Sequence, residues 1–310
     1  MDNSLGHITV IANPAAQSGQ ARVYTDRLQA YLREDPQLAN NFNFLRTKIS
    51  GDGERIAYAA RNAQTILALG GDGIIHEIVN GIMRLPEGRR PTLGIIPVGT
   101  GNDYARTLGL SIQSPKEALN QFFSGTKRKV DLGRVNERYF VESLSFGLDA
   151  AIALDTSRRR LENPNKRSRG LFVTSGIKYM SHVARGWNVQ AQFDGEELSF
   201  SETICALQLG PSYGGGFKIC PNANPIDGQL HCCYNTRLPN VAHALLLFAK
   251  ARFGKHTKSS ILEFRQSKHV VLDFEEEPPA QADGEALEGT HFEIDVIPQA
   301  LDVIVGNVKW

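Results

Sequence analysis

At 310 residues the chain is long enough for two domains, and its 41% hydrophobic and 22% charged content is that of an ordinary globular protein. A net charge of +1 gives no global pull towards nucleic acid, and the longest apolar run, near residues 244–249, is far too short to span a bilayer. Four cysteines without a CxxC pair argue against a thiolate metal cluster; with no basic-then-apolar leader, since Asp2 and His7 interrupt the opening, the expectation is a cytoplasmic protein with buried reduced thiols.

HITVIA at 7–12 is a β-branched apolar run closed by Asn13-Pro14. After a small polar stretch, Val23, Leu28, Tyr31 and Leu32 mark the apolar side of a helix. Residues 41–48 read as a short strand ending near Thr47. Gly51-Asp52 caps the next helix, whose Ile56, Ala59, Ala60 and Ala63 form a small-residue face. The stretch TILALGGDGIIHEIVNGI, residues 65–82, then changes period. An apolar run stops at Gly70-Gly71-Asp72-Gly73, and Ile75, Ile78, Val79 and Ile82 follow at i, i+3, i+4 and i+7, one face of a helix.

Strand, glycine loop and helix together bring bare N–H groups to a phosphate, with a helix N-terminus behind them. The Asp72 carboxylate would repel that phosphate unless a metal or a proton transfer is involved, which points to chemistry and not only to binding. TLGIIP at 92–97 is the fourth strand and runs into Val98-Gly99-Thr100-Gly101-Asn102-Asp103. Ser114-Pro115-Lys116-Glu117 is a helix start, with Ser as N-cap, Pro in the first turn and Glu placed for a capping box. Such alternation predicts a parallel sheet covered by helices, with ligands beyond the carboxyl ends of its strands. Asn13, Thr47, the 70–73 loop and the 99–103 loop should therefore lie along one rim.

From about Lys129 strands dominate: 130–132, 139–148, 189–193, 198–200, 204–209, 230–234, 269–274, 292–297 and 301–305. Asp194-Gly195-Glu196 reads as a hairpin turn, and helices are expected at 171–184 and 241–253. This is a second, β-rich domain, a sandwich. With the boundary near 125–129, the domains are 1–127 and 128–310, the closing strands being candidates to pack back on the first.

GGDG (70–73), PVGTGNDYAR (97–106), GGGFKICPNANPIDGQL (214–230) and ADGE (282–285), in that order, resemble the diacylglycerol kinase catalytic-domain superfamily. The match is to its small soluble bacterial lipid kinases, related to the sphingosine and ceramide kinases, and it covers essentially the whole chain. The resemblance implies an α/β fold: an N-terminal Rossmann-like nucleotide-binding domain and a C-terminal β-sandwich, with the active site in the interdomain cleft. It also implies an ATP- and Mg²⁺-dependent transfer of phosphate to a lipid hydroxyl, diacylglycerol foremost. NAD kinases share the GGDG, but their TPTGSTAY-like second signature is missing here. A kinase of that type, and a nucleotide-binding regulator without turnover, are the alternatives.

By the same resemblance Asp72 organises the reacting groups together with Asp103, Glu285 takes the proton of the lipid hydroxyl, and Asp283 is its neighbour near the phosphates. The rival base is Asp72. Asn13, Thr47, Gly70, Gly71, Gly73, Glu77, Gly99, Thr100, Gly101 and Asn102 face the nucleotide. Asn224, Asp227 and Gln229 are candidates for a structural magnesium site, whose hard cation suits oxygen donors. Two departures from the family pattern stand out: Ile74 in place of the usual Thr after GGDG, and Ile226 in place of an acid before Asp227. The basic run Arg158-Arg159-Arg160 and Lys166-Arg167-Ser168-Arg169 is a candidate contact with anionic headgroups during transient association with a membrane surface. No nucleic-acid partner is implied, and a homodimer is only the common default.

Overall fold

The computed structural model describes residues 5–34, 41–162, 168–179, 186–308 and 310. The chain forms two units, Met1–Val130 with Gln299–Trp310, and Asp131–Pro298.

In the first unit the order is β1 (Ile8–Ala12), α1 (Gln20–Glu34), β2 (Phe42–Arg46), α2 (Asp52–Ala59), β3 (Thr65–Gly70), α3 (Asp72–Met83), β4 (Thr92–Pro97), α4 (Asp103–Thr107) and α5 (Pro115–Ser124). The strands lie β2-β1-β3-β4 and pair in parallel, with Val10 beside Leu67 and Leu67 beside Gly94. β1, β3 and β4 are buried along their whole length, as a sheet covered on both faces requires. Val10, Leu32, Leu69, Ile96 and Phe122 form the core on one side. Each such side chain contributes roughly 1.5–3 kcal/mol by leaving water.

The inward face of α1 differs from the expected one. Val23 and Tyr31 are exposed, and Ala21, Thr25, Leu28 and Leu32 point inward. Thr25 belongs there because its hydroxyl donates to the Ala21 carbonyl at 2.7 Å. On α2, Ala59 is exposed, and the close approach to α3 is made by glycines instead. A β-carbon on Gly81 would stand 2.3 Å from the Glu54 carbonyl oxygen. Asp52 does not cap α2 but begins it. Its carboxylate accepts the Lys48 and Ile49 N–H groups, and the Lys48 bond, the Arg55 guanidinium and the Ile49 bond hold its pKa down at about 2. Ser114 caps α5 by accepting the Glu117 N–H, while the Glu117 carboxylate bonds the Ser111 hydroxyl and leaves the capping box half made.

The second unit runs β5 (Thr126–Val135), β6 (Arg138–Phe140), β7 (Ser143–Gly147), α6 (Leu148–Glu162), α7 (Ser168–Tyr179), β8 (Trp187–Phe193), β9 (Glu196–Glu202), β10 (Ile204–Gln208), β11 (Leu230–Asn235), α8 (Val241–Ala251), β12 (Leu262–Ser267), β13 (His269–Phe274), β14 (Ala280–Ala282), β15 (Glu285–Leu287) and β16 (His291–Val305). One antiparallel sheet has the order β16-β13-β8-β9, and the other β12-β11-β10-β7-β14-β15. Phe140, Phe146, Leu207, Leu272 and Ile294 fill the core, where Phe193 stacks on Tyr234 at 5.3 Å. This is the antiparallel β-sandwich expected from the strand-rich second half.

Several features of this unit escape the sequence reading, the short strands β14 and β15 among them. The strands expected at 292–297 and 301–305 are one strand, β16, and its last residues, counted with the first unit, pair in parallel with β4 through Val303 and Leu93. A 15-residue helix, α6, follows β7 directly. Its buried face includes Leu148 and Ile152 but also Asp155 and Thr156, and those polar residues mask the helical period. β12 was not anticipated either, and residues 180–184 of the helix expected at 171–184 lie outside the described residues. All four cysteines are buried and unpaired in this unit, and burial pushes every thiol pKa up. Among the described residues no helix is long and apolar enough to cross a membrane.

Candidate active site

The loop after β3 is shorter than the sequence suggests. Gly71 is the N-cap of α3, with extended backbone, and Asp72 and Gly73 already belong to its first turn. The acid therefore stands on the positive end of a helix, where a carboxylate or a phosphate is stabilised. The loop after β4 meets it directly. A β-carbon on Gly71 would lie 2.9 Å from the Gly99 Cα, and one on Gly99 only 2.3 Å from the Gly71 Cα. Only two glycines allow these backbones to touch.

Asn102 fastens the second loop from within. It adopts a left-handed conformation with φ 53°, and its side chain accepts the Gly99 N–H and donates to the Gly99 carbonyl, both at 2.9 Å. Asn102 is thus a brace for the loop, and Thr100 is exposed at its tip. Asp72 Oδ1 accepts the Tyr104 N–H at 3.3 Å. Asp103 is 5% exposed, and its Oδ1 accepts from Arg106 at 3.1 Å. The other oxygens of both acids converge. A β-carbon on Gly101 would stand 2.8 Å from Asp72 Oδ2 and 3.3 Å from Asp103 Oδ2. Two carboxylate oxygens facing one point suit a hard cation.

Asn13 and Thr47 lie at the ends of β1 and β2, on the expected rim. Asn13 makes an Asx turn, its Oδ1 accepting the Ala15 N–H, and Thr47 is tied to the Ala12 carbonyl through its N–H at 2.9 Å and its hydroxyl at 3.5 Å. The β-carbon position of Gly70 lies 3.6 Å from Asn13 Cβ. Glu77 turns away from the loops. Its carboxylate accepts the Gly51 and Gly53 N–H groups, both at 2.8 Å, and so caps α2 from outside. Ile74 is buried between Gly70 and Gly53, where its methyls fill the space that either β-carbon would need. The residue that replaces the usual threonine is therefore a packing residue.

In the second unit Asp283 and Gly284 form the two-residue turn between β14 and β15, both at positive φ. The Asp283 carboxylate accepts three backbone N–H groups, from Val141, Glu142 and Ser143, at 2.8–3.1 Å. It anchors the approach to β7. Glu285 begins β15 and is exposed, and its carboxylate bonds no described residue. The 224–229 loop is held by buried Asp131, which accepts the Gly228 N–H at 2.7 Å. Asn224 Oδ1 accepts the Ile226 N–H, and Asp227 accepts the Gln229 N–H and faces His231 Nε2 at 2.9 Å. The expected magnesium ligands Asn224, Asp227 and Gln229 thus lie on one turn, which Asp227 and Asn224 tie through backbone N–H groups. Among the described residues His269, Glu293 and Asp295 also come together, but Asp295 is bound to Arg134 at 2.7 Å and to His269 at 2.8 Å, an ion-pair cluster.

Of the basic run, Arg158 and Arg159 bond within the protein. Arg158 and Lys178 bond Asp155, itself 1% exposed in its side chain, and Arg159 bonds Thr174 and Ser175, so that α6 and α7 are pinned together. Lys166 and Arg167 lie outside the described residues.

The sequence reading missed a pair of acids. Asp149 at the start of α6 and Glu202 at the end of β9 are buried; Glu202 lies against Gly147, whose β-carbon would stand 2.5 Å from its Oε2. Burial raises the Asp149 pKa to about 7, partly offset by a bond to Ser145, and raises Glu202 strongly, Asp149 adding to it. The available signal was an acid at the seam of the apolar run 140–152. Asp149 borders an apolar cavity of about 80 Å³ lined by Ile152, Tyr213, Phe217, Leu247, Phe248 and Leu262.

Comparison with known proteins agrees with this architecture. Residues 7–135 match the diacylglycerol kinase catalytic domain, and residues 142–305 match the YegS C-terminal NAD kinase beta sandwich-like domain. The chain is 28% identical to the diacylglycerol kinase of Bacillus subtilis, over 89% of this chain and 88% of that one. It is 31% identical to a "Probable lipid kinase YegS-like" of Chromohalobacter salexigens, over 81% and 79%. A crystal structure of a diacylglycerol kinase from Bacillus anthracis superposes with a TM-score of 0.72 at 23% identity, covering 97% of each chain, which establishes the shared fold.

Proposed function

The chain belongs to the diacylglycerol kinase catalytic-domain family and is a phosphotransferase with an alcohol acceptor, and from that premise we propose that it transfers the γ-phosphate of ATP to a lipid hydroxyl, with diacylglycerol as the first candidate. The observation that carries this reading is the convergence of Asp72 and Asp103 on Gly101, beside two glycine loops in backbone contact. The loops after β3 and β4 are open to phosphate oxygens, and the N-terminus of α3 favours their charge. Asp72 and Asp103 would hold Mg²⁺, which when bound neutralises charge on the phosphates.

Phosphoryl transfer needs mostly positioning and charge stabilisation. As the oxygen–phosphorus bond forms and the bond to ADP breaks, the lipid hydroxyl gives its proton to a carboxylate. Glu285, exposed and with a carboxylate that bonds no described residue, suits that role, and Asp72 is its rival. Asp283, with three backbone donors on its carboxylate, is a positioning residue. The apolar cavity of the second unit favours an acceptor with a hydrocarbon chain.

The test is direct. The protein is incubated with Mg-ATP and separately with diacylglycerol, sphingosine, ceramide or NAD, and phosphate transfer is followed. Transfer to diacylglycerol or another lipid is expected; transfer to NAD and to no lipid would overturn the reading.

A further inference from the structure

We propose that the outer face of α8 is a docking surface for an anionic lipid bilayer, an inference that rests on the lipid-kinase reading for its purpose. α8 is apolar on both sides. Ala244, Leu247, Phe248 and Ala251 line the cavity beneath it. On the outside Val241, Leu245 and Ala249 form one exposed row at i, i+4 spacing, and Ala242 and Leu246 form a second. Phe253, in the turn that follows, is 70% exposed. A surface helix normally turns polar residues to water, and a continuous exposed apolar strip marks an interaction. The strip extends to α7, where Ile177 is 62% exposed and where the Gly176 β-carbon position lies 3.0 Å from the Phe248 ring.

The charge around this strip identifies its occupant. Residues 228–262 contain no Asp or Glu and carry Arg237, Lys250, Arg252, Lys255 and Lys258. Arg252 bonds the Gly216 carbonyl, and the other four cations are exposed. An apolar strip with a cationic rim fits acyl chains below and anionic headgroups around it. A second copy of this chain fits poorly, since a two-fold contact would set these like charges against each other. The basic run at 158–159, by contrast, is already bound to Asp155, Thr174 and Ser175.

The experiment is co-sedimentation of the full chain with vesicles of phosphatidylcholine, with or without phosphatidylglycerol, in the absence of ATP. Binding to the anionic vesicles is expected, weakening as salt rises. The double variant Leu246→Glu/Phe253→Glu should bind roughly tenfold less or worse, and Lys255→Gln/Lys258→Gln should lose most of the preference for anionic over neutral vesicles. Both pairs are exposed, so unchanged thermal melts will show intact folds. Wild-type protein that ignores anionic vesicles, or a Glu variant that binds like wild type, would overturn the proposal. So would a wild-type dimer in solution that the Glu variant dissociates. Because binding is read without turnover, it stands or falls separately from phosphate transfer.

Discussion

Gly71 and Gly99 meet backbone to backbone, so that a β-carbon on Gly99 would lie 2.3 Å from the Cα of Gly71. The two loops hold each other's shape. Gly99→Ala must push them apart, and a displacement near 1 Å at a reacting centre costs on the order of 10²-fold in rate. Gly101→Ala is the subtler variant, because it keeps both acids and sets a methyl 2.8 Å from Asp72 Oδ2. Both should lose about that much kcat/KM in steady-state kinetics. Wild-type rates in both would remove the loops from the site.

Asp72→Asn keeps the shape of the side chain and removes its charge. Its loss should reach about 10²–10⁴-fold in kcat, the range for a residue that acts on the reacting groups. The melting temperature should move little, since the bond it accepts from the Tyr104 N–H is 3.3 Å long. Full activity in this variant would sink the assignment.

Asp283 and Glu285 are two residues apart and should behave oppositely. Asp283→Ala deletes an acceptor of three backbone N–H groups, each charged bond being worth roughly 1.5–3 kcal/mol. Denaturant titration should show a loss of that order or more. Glu285→Gln, at an exposed site, should leave the titration unchanged and lower kcat.

Asp149 gives the fold a pH dependence. Its folded pKa, about 7, lies above the ordinary 3.8, so the folded state keeps a proton that the unfolded chain releases. Stability is then fullest at low pH and declines as pH rises from about 4 through 7. Asp149→Asn fixes the neutral form. It should stabilise the protein at pH 8 by on the order of a few kcal/mol, given three pKa units at about 1.4 kcal/mol each, and change little at pH 4. Parallel melting curves for variant and wild type across this range would refute the burial argument.

The sequence made most of this fold legible because its signals are local. The period change at 70–75, the closed run at 92–97 and the Asp194-Gly195 turn each sit within a few residues, and all appear in the structure. What it concealed depends on partners distant in the chain. Glu77 reads as a nucleotide-facing residue until Gly51 and Gly53 at the start of another helix take its carboxylate. The three backbone N–H groups that close on Asp283 come from 141–143, far away in the chain. α6 was hidden because its buried face accommodates Asp155, and an acid on the inner side defeats a hydrophobic-period test. Ile74 is the instructive case: it reads as a missing hydroxyl, and in three dimensions it is a methyl filling the gap between two glycines.

The four cysteines carry a consequence of a different kind. All lie in the second unit, all are buried, and burial disfavours every thiolate. The first unit has none. A thiol reagent added to the native protein is therefore a stopwatch for one half of the molecule: colour develops only as the sandwich opens, while the first unit can breathe unseen. The wild-type chain thus carries its own reporter, and a nucleotide or a lipid that slows the colour will reveal which of them steadies the sandwich without any label being introduced.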